Sequence, residues 1–197
     1  MPDRSVVPRV NSVFELRQYT LHPSRRDDLI ELFERELIEP QEAAGMLVVA
    51  QFRDLGDPDR FVWIRAFPDM VARKESLERF YGGPVWKKFR DQANATMIDS
   101  DNVLLLRLVD PRFGFPVGAK TPASRFAISI YANVAPVELP KTTILRTEHA
   151  ANTFPALPVR TGEDVLVSFS TAESQPAIAL PRIQELRLEP TRRSRIR

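Results

Sequence analysis

Cysteine is absent from this chain of 197 residues, and glycine and histidine are scarce, with seven and two residues. Without cysteine there is no disulfide framework, no thiolate metal site and no cysteine nucleophile. So few glycines leave little room for phosphate-cradling loops, and neither the glycine motifs of nucleotide-binding folds nor the nucleophile elbow of hydrolases occurs. We therefore expect no cofactor.

Long apolar runs are missing as well. No stretch approaches the roughly 18 to 20 apolar residues that cross a bilayer, so the sequence predicts no transmembrane segment. The opening residues Met1 to Arg4 are not followed by the apolar core of a signal peptide. Together with the lack of cysteine, this pattern predicts a cytoplasmic protein.

Positive and negative charges are nearly balanced, with 28 Lys and Arg against 26 Asp and Glu. The one asymmetry is the C-terminus, where four arginines crowd into residues 192–197. Such a tail can bind phosphates, but we favour a solvated terminus and expect no nucleic-acid partner.

Four segments of the first half have the character of strands. Apolar and polar residues alternate in them, and β-branched and aromatic residues are frequent. They are residues 13–21, 47–55, 60–67 and 102–109. A turn containing glycine and proline at residues 56–59 predicts that the second and third strands form a hairpin.

Helical spacing of apolar residues fills the intervals between these strands. A first helix is predicted with Ser24 as its N-cap and Pro40 near its end, and Asp69 is the predicted N-cap of a second. Pro84 suits the first turn of a third helix. The order β-α-β-β-α-β is that of a ferredoxin-like unit.

The second half reads as a shortened copy of the first. Residues 14–19 match residues 126–131, and residues 106–108 match residues 186–188 in the same order. Strands are predicted at residues 126–134, 142–150, 164–171 and 182–189, with proline-bearing loops in place of helices. The sequence therefore predicts an α+β protein of two ferredoxin-like units, the second poor in helix.

Five segments make up the predicted domain organisation. They are a flexible N-terminus at 1–12, a first unit at 13–110, a linker at 111–124, a degenerate second unit at 125–191 and a basic tail at 192–197. The linker carries three of the prolines and two of the few glycines.

The two faces of the predicted sheets differ in charge. One face should be apolar and covered by helices, and the other should pack on a second sheet. We assign to the helix-free face a set of charged residues, namely Arg17, Arg65, Arg107, Arg187, Glu15 and Glu185. Buried arginines need partners, because an unpaired charge in a low-dielectric interior is costly. Either these residues neutralise one another, which we favour, or spare arginines hold a carboxylate or phosphate.

The candidate ligand contacts are Arg17, Tyr19 and Arg65, followed by Tyr131 and His149. A histidine at the end of a strand can move protons if a carboxylate lies nearby. The interpretation we favour for His149 is a histidine satisfied by loop carbonyls.

No metal site is expected, since the two histidines lie at different strand ends without a metal-binding spacing. Four aromatic residues, Trp63, Phe80, Tyr81 and Trp86, could line a pocket, but residues at such spacings are typical of a core.

Several of these segments together resemble the NIPSNAP family. They are residues 14–21, 61–65, 126–131, 146–149 and 186–194, including the Glu-Leu-Arg-x-Tyr-Thr opening and the Leu-Arg-Leu-x-Pro-Thr close. The resemblance implies a dimeric α/β-barrel fold, in which ferredoxin-like units pair their open faces. It implies no catalytic residues, because the family has no agreed ones.

Three functions follow as hypotheses. The first is a NIPSNAP-like protein of unknown function that binds a small anionic ligand in a barrel cavity, without established catalysis. The second is a cofactor-independent monooxygenase or isomerase of the same barrel type, with His149 or Glu15 as base. The third is a structural or interaction module whose arginine tail contacts acidic partners. We expect a homodimer, because the shortened unit lacks helices over its outer face.

Overall fold

Eight antiparallel strands form one closed barrel in the computed structural model, which describes residues 11–118 and 125–197. Most of the predicted flexible N-terminus and part of the predicted linker lie outside these residues. The strands are β1 (Val13–Leu21), β2 (Leu47–Asp54), β3 (Arg60–Phe67), β4 (Met97–Leu108), β5 (Phe126–Ala132), β6 (Ile144–Thr147), β7 (Val165–Thr171) and β8 (Arg182–Pro190).

The order of strands around the barrel is β1-β3-β2-β8-β5-β7-β6-β4. Each half of the chain therefore contributes four neighbouring strands in the order fourth, first, third, second, which is the ferredoxin-like order. The predicted fold of two such units is confirmed. The units meet along two seams, β2 with β8 and β4 with β6, so the barrel closes within one chain.

The strand register refines the internal repeat. Phe14 lies opposite Leu106 in the first unit, and its counterpart Phe126 lies opposite Leu188 in the second. Leu106 therefore corresponds to Leu188 rather than to Leu186, which the sequence match had paired with it. Leucines two residues apart on a strand share a face, so the sequence cannot distinguish the two registers.

Four helices belong to the first unit, and the described part of the second unit has none. They are α1 (Arg26–Leu32), α2 (Ile38–Ala43), α3 (Met70–Tyr81) and α4 (Pro84–Asn94), with a π-helical turn at Phe33–Leu37 between the first two. Asp69 caps α3 as predicted, since its Oδ1 accepts a hydrogen bond of 2.7 Å from Ala72 N. The prediction that Ser24 is the N-cap of α1 is wrong, because Arg25 holds that position. Ser24 instead has a positive φ of 64°.

The barrel interior is apolar. Phe52, Phe126 and Phe169 pack together at its centre, with ring centroids 5.4 to 6.2 Å apart. A remaining cavity against Phe14 and Phe115 measures about 10 Å³, which is room for one water molecule at most. Shape-complementary packing of the two sheets therefore fills the space between them.

The charged face of the first sheet lies outside the barrel, under the helices. Glu15, Arg17 and Arg65 are buried there beside α3, whereas Phe14 and Leu16 point into the barrel. The prediction that these arginines occupy the helix-free face is therefore wrong. The barrel interior is lined by apolar side chains of both sheets, so a charged group there would have no group of opposite charge to pair with. On the outside of the barrel the helices can supply such groups.

Loops replace the missing helices over the second unit. Tyr131, Ile144 and Leu166 form a small buried cluster on its outer face. Four of the residues packed against that cluster come from the loops after β5 and β7, namely Val137, Leu139, Ile178 and Leu180, and a fifth, Val109, follows β4. Arg107, Arg187 and Glu185 are exposed on the outside of the barrel. The outer face therefore has a cover of its own within the chain.

The C-terminal tail is docked on the first unit, which corrects the expectation of a solvated terminus. Arg193 forms an ion pair with Glu39, and Arg195 pairs with Glu42 at 2.6 Å. Ile196 is fully buried in the apolar cluster of the barrel. The tail thus fastens the end of the second unit to the helices of the first.

Ile196→Ala tests this docking. Removing a fully buried isoleucine side chain should lower the free energy of unfolding by about 2 to 5 kcal/mol. Ile98→Ala is the matched control, because Ile98 is 59% exposed and its loss should cost well under that amount. Urea unfolding of the two variants measures the difference, and equal effects would contradict a docked tail.

Candidate functional site

Four charged side chains meet between the outer face of the first sheet and α3. Glu15 and Arg17 come from β1, Arg65 lies directly opposite Glu15 on β3, and Arg73 comes from the first turn of α3. All four are at most 1% exposed. We call this group the arginine cluster.

The carboxylate of Glu15 holds the arginine cluster together. Its Oε2 accepts hydrogen bonds from Arg17 Nη1 at 2.6 Å and from Arg65 Nε at 2.7 Å. Its Oε1 accepts one from Arg73 Nε at 2.7 Å. One carboxylate therefore binds three guanidinium groups, each by a charge-assisted hydrogen bond.

Neutral side chains accept hydrogen bonds from some of the remaining N–H groups of these arginines. Arg17 Nε donates to the hydroxyl of Tyr19 at 3.0 Å. Arg65 Nη1 donates to Gln41 Oε1 and to the hydroxyl of Tyr81, both at 3.3 Å. Two of the arginines lie near the ring of Trp63, with the Cζ of Arg65 at 5.1 Å and that of Arg17 at 5.5 Å from its centroid. Aromatic faces attract such cations.

Positive charge is in excess in the arginine cluster, since three arginines face one carboxylate. Arg65 Nη2, Arg73 Nη2 and Trp63 Nε1 are buried and have no hydrogen-bond acceptor among the described residues. A buried donor without an acceptor costs about 1 to 3 kcal/mol, and more when it is charged. Three buried hydrogen-bond donors thus lack an acceptor among the described residues, and two of them are on guanidinium groups.

The electrostatics keep Glu15 ionised. Burial alone would raise the pKa of Glu15, but the charges of Arg65, Arg17 and Arg73 outweigh burial and hold that pKa well below its usual range. Burial lowers the pKa of Arg73 and raises that of the Tyr19 phenol. An arginine titrates so high that Arg73 stays charged, and Tyr19 stays neutral.

The structure brings together three of the five candidate ligand contacts, Arg17, Tyr19 and Arg65. Tyr131 lies on the outer face of β5 in the second unit, beside an open groove formed with residues 176–180 and Arg182. The His149 side chain is 66% exposed, and its Nε2 lies 3.9 Å from Asp164 Oδ2. Neither residue contributes a hydrogen bond to the arginine cluster.

Sequence reasoning missed Arg73, although a signal for it exists. Arg73, Leu77 and Phe80 recur at helical spacing, and all three are buried on the inner side of α3. An arginine in the apolar stripe of a helix indicates a charge that is paired in the interior. Gln41 and Asn152, which also bind the arginines, carry no such signal.

Two negative findings apply to the part of the chain that the structure describes. It contains no group of three or more metal-ligating side chains that could hold an ion. None of its helices is long and apolar enough to cross a membrane.

Comparison with solved structures agrees with the fold over the whole chain. A proposed monooxygenase from Lactobacillus acidophilus is 12% identical with a TM-score of 0.56, covering 91% of this chain and 94% of that one. A second one from Fusobacterium nucleatum is 9% identical, also with a TM-score of 0.56, covering 92% and 93%. The fold thus places the chain among α/β barrels made of two ferredoxin-like units.

Residues 14–111 match the NIPSNAP family. A NIPSNAP family protein of unknown function from Agrobacterium tumefaciens is 22% identical, with a TM-score of 0.46, and covers 50% of this chain and 88% of its own length. No protein with a curated description matches the sequence. The first unit is therefore a NIPSNAP domain, and no specific activity is established for it.

Glu15→Gln tests the central role of the carboxylate. Without it three buried arginines lose their shared partner, and breaking a buried ion pair lowers the free energy of unfolding by about 3 to 5 kcal/mol. Glu31→Gln is the control, because Glu31 pairs with Arg35 on the exposed side of α1 and its removal should change stability little. Urea unfolding at pH 7 measures both variants.

The stability contributed by Glu15 should depend on pH. Its folded pKa lies far below the ordinary value of 4.5, so below that pH the unfolded chain binds a proton at Glu15 that the folded chain does not. The contribution is complete above about pH 4.5 and is lost as the pH falls. The difference in unfolding free energy between the wild type and Glu15→Gln should shrink from pH 6 to pH 3. A constant difference would contradict the buried carboxylate.

Proposed function

We propose that this protein binds a small anion, a carboxylate or a phosphate, at the arginine cluster of its first unit. The excess of positive charge carries the proposal. Arg65 Nη2 and Arg73 Nη2 are buried donors with no acceptor among the described residues, on guanidinium groups that already share Glu15. Guanidinium forks suit the planar oxygens of carboxylates and phosphates.

The location differs from the barrel cavity in which we first expected the ligand. The barrel interior is lined by apolar side chains, and its cavity of about 10 Å³ is far too small for a metabolite. The arginine cluster offers the complementary charge on the other face of the same sheet. Arg17, Tyr19 and Arg65 remain our proposed ligand contacts, and Arg73 joins them. Tyr131 and His149 remain weaker candidates.

Catalysis of the monooxygenase or isomerase type would need a side chain that accepts a proton near neutral pH. Glu15 is a poor base, because the three arginines lower its pKa strongly. His149 lies on the surface. The likeness to the two proposed monooxygenases concerns the fold, and function belongs to sites rather than to folds. These observations favour binding over proton transfer.

The interaction hypothesis loses its main support, because Arg193 and Arg195 pair with glutamates of the same chain. The homodimer, the cytoplasmic location and the lack of a nucleic-acid partner remain predictions. A barrel that closes within one chain does not need a second copy for its closure.

Calorimetric titration with inorganic phosphate and with benzoate tests the proposed site. At least one of them should bind, with chloride at equal ionic strength as the reference for nonspecific screening. Arg73→Lys keeps the charge but loses the guanidinium fork, so it should weaken binding at least tenfold. Arg90→Gln is the control, since Arg90 lies on the surface of α4, and it should bind like the wild type.

Two results would contradict the proposal. One is that neither anion binds to the wild type above the chloride reference. The other is that Arg73→Lys and Arg90→Gln bind with the affinity of the wild type, because the anion would then lie elsewhere. Thermal unfolding without added anion checks that both variants are folded.

A further inference from the structure

The two units of the barrel are related by strand register, so each residue of the arginine cluster on a strand has a counterpart in the second unit. In the first unit Glu15 lies opposite Arg65, and Arg17 lies opposite Trp63. The corresponding pairs in the second unit are Ala127 with Ser170 and Ser129 with Ser168. Every charged or aromatic residue of the four is replaced by a small one.

The helix-borne partner is missing from the second unit as well. Arg73 comes from α3, and no helix follows β7, the counterpart of β3, in the described residues. Loop residues such as Ile178 and Leu180 cover this face instead and pack on Tyr131. The second unit therefore has the strand framework of the site without its charges.

A loop of the second unit reaches the site of the first. Residues 148–164 connect β6 to β7, and the two residues that flank the segment 149–159 within this connection are fixed on β4. Glu148 N donates to Leu105 O at 2.8 Å, and Arg160 N donates to Val103 O at 2.9 Å. We call residues 149–159 the crossing loop.

The tip of the crossing loop lies on the arginine cluster. Asn152 Oδ1 accepts a hydrogen bond of 3.0 Å from Arg73 Nη1, and the ring of Phe154 stacks on that of Tyr81 with centroids 5.9 Å apart. Arg73 is fully buried, whereas Asn152 and Phe154 are partly exposed. The crossing loop thus separates the arginines from solvent.

Asn152 is also held in place from within the loop. Its Oδ1 accepts from Phe154 N at 3.1 Å, and its Nδ2 donates to Leu157 O at 2.9 Å. The orientation of its amide is therefore set, with the oxygen directed at Arg73. The loop presents a neutral acceptor to a guanidinium group whose Nη2 has no acceptor among the described residues.

We propose that each chain has one anion site, in the first unit, and that the crossing loop of the second unit forms its entrance and orients Arg73 through Asn152. This inference rests on the proposed function. It gives the second unit a definite role: its sheet closes the barrel, and its loop completes the site of the other unit. A neutral amide at this position leaves the excess positive charge for the ligand.

Asn152→Asp is the sharpest test, because it changes an amide into a carboxylate of the same shape at the Nη1 of Arg73. The new charge would compensate the arginines, so phosphate or benzoate binding by calorimetry should weaken at least tenfold. Thermal unfolding without anion checks that the variant is folded, because Arg73 gains an ion pair while the hydrogen bond from Asn152 Nδ2 to Leu157 O is lost. Asn94→Asp carries the same charge change at the exposed last residue of α4 and should bind like the wild type.

Phe154→Ala tests the entrance separately. Loss of the stacking on Tyr81 should raise both the association and the dissociation rates several-fold in stopped-flow experiments that follow the fluorescence of Trp63 and Trp86. The wild type should bind one anion per chain.

Each other outcome has a distinct meaning. If the wild type binds no anion, the proposed function fails and this inference with it. If it binds one anion but Asn152→Asp and Phe154→Ala leave affinity and rates unchanged, the anion site stands and the role of the crossing loop is overturned. Two equivalent anions per chain would overturn the single site.

Discussion

The carboxylate of Glu15 is the constraint on which the first unit depends. It receives hydrogen bonds from arginines on its own strand, on the neighbouring strand and on α3. Because all four groups are buried, the ion pairs cannot be exchanged for water without a large free-energy cost. Glu15 therefore ties the sheet to α3, and Arg73 in turn contacts Asn152 of the crossing loop. The arrangement leaves more positive than negative charge.

Closure of the barrel explains why this charge lies where it does. Two sheets that face each other across an apolar interior leave neither space nor partners for arginines inside. The outer face of the first sheet is covered by helices, which can carry Arg73 and Gln41 to the strand residues. The second unit supplies the opposite sheet, the crossing loop and the docked tail. Its own outer face needs only a loop cover, because its strand positions carry alanine and serine.

The strand residues of the site could be predicted from the sequence, but their surroundings could not. Alternation correctly placed Glu15, Arg17 and Tyr19 on one face of β1, and it placed Arg65 of β3 on the charged face as well. It did not show whether that face lies toward the barrel interior or toward the helices, because alternation separates the two faces of a strand without showing what covers each of them. Arg73 was recognisable in principle from its place in an apolar helical stripe. Asn152 was not, because a loop has no periodicity that reveals its contacts.

The sequence by itself determined the NIPSNAP character of the first unit, the two ferredoxin-like units and the apolar and charged faces of their strands, because these depend on local periodicity and on motifs. Only the tertiary structure decided that the barrel closes within one chain, that the arginine tail is docked and that three arginines share one glutamate. Those features join residues far apart in the chain, such as Glu15 with Arg73 and Arg73 with Asn152. Which distant groups meet is set by packing and charge pairing of the whole fold, and no local pattern encodes it.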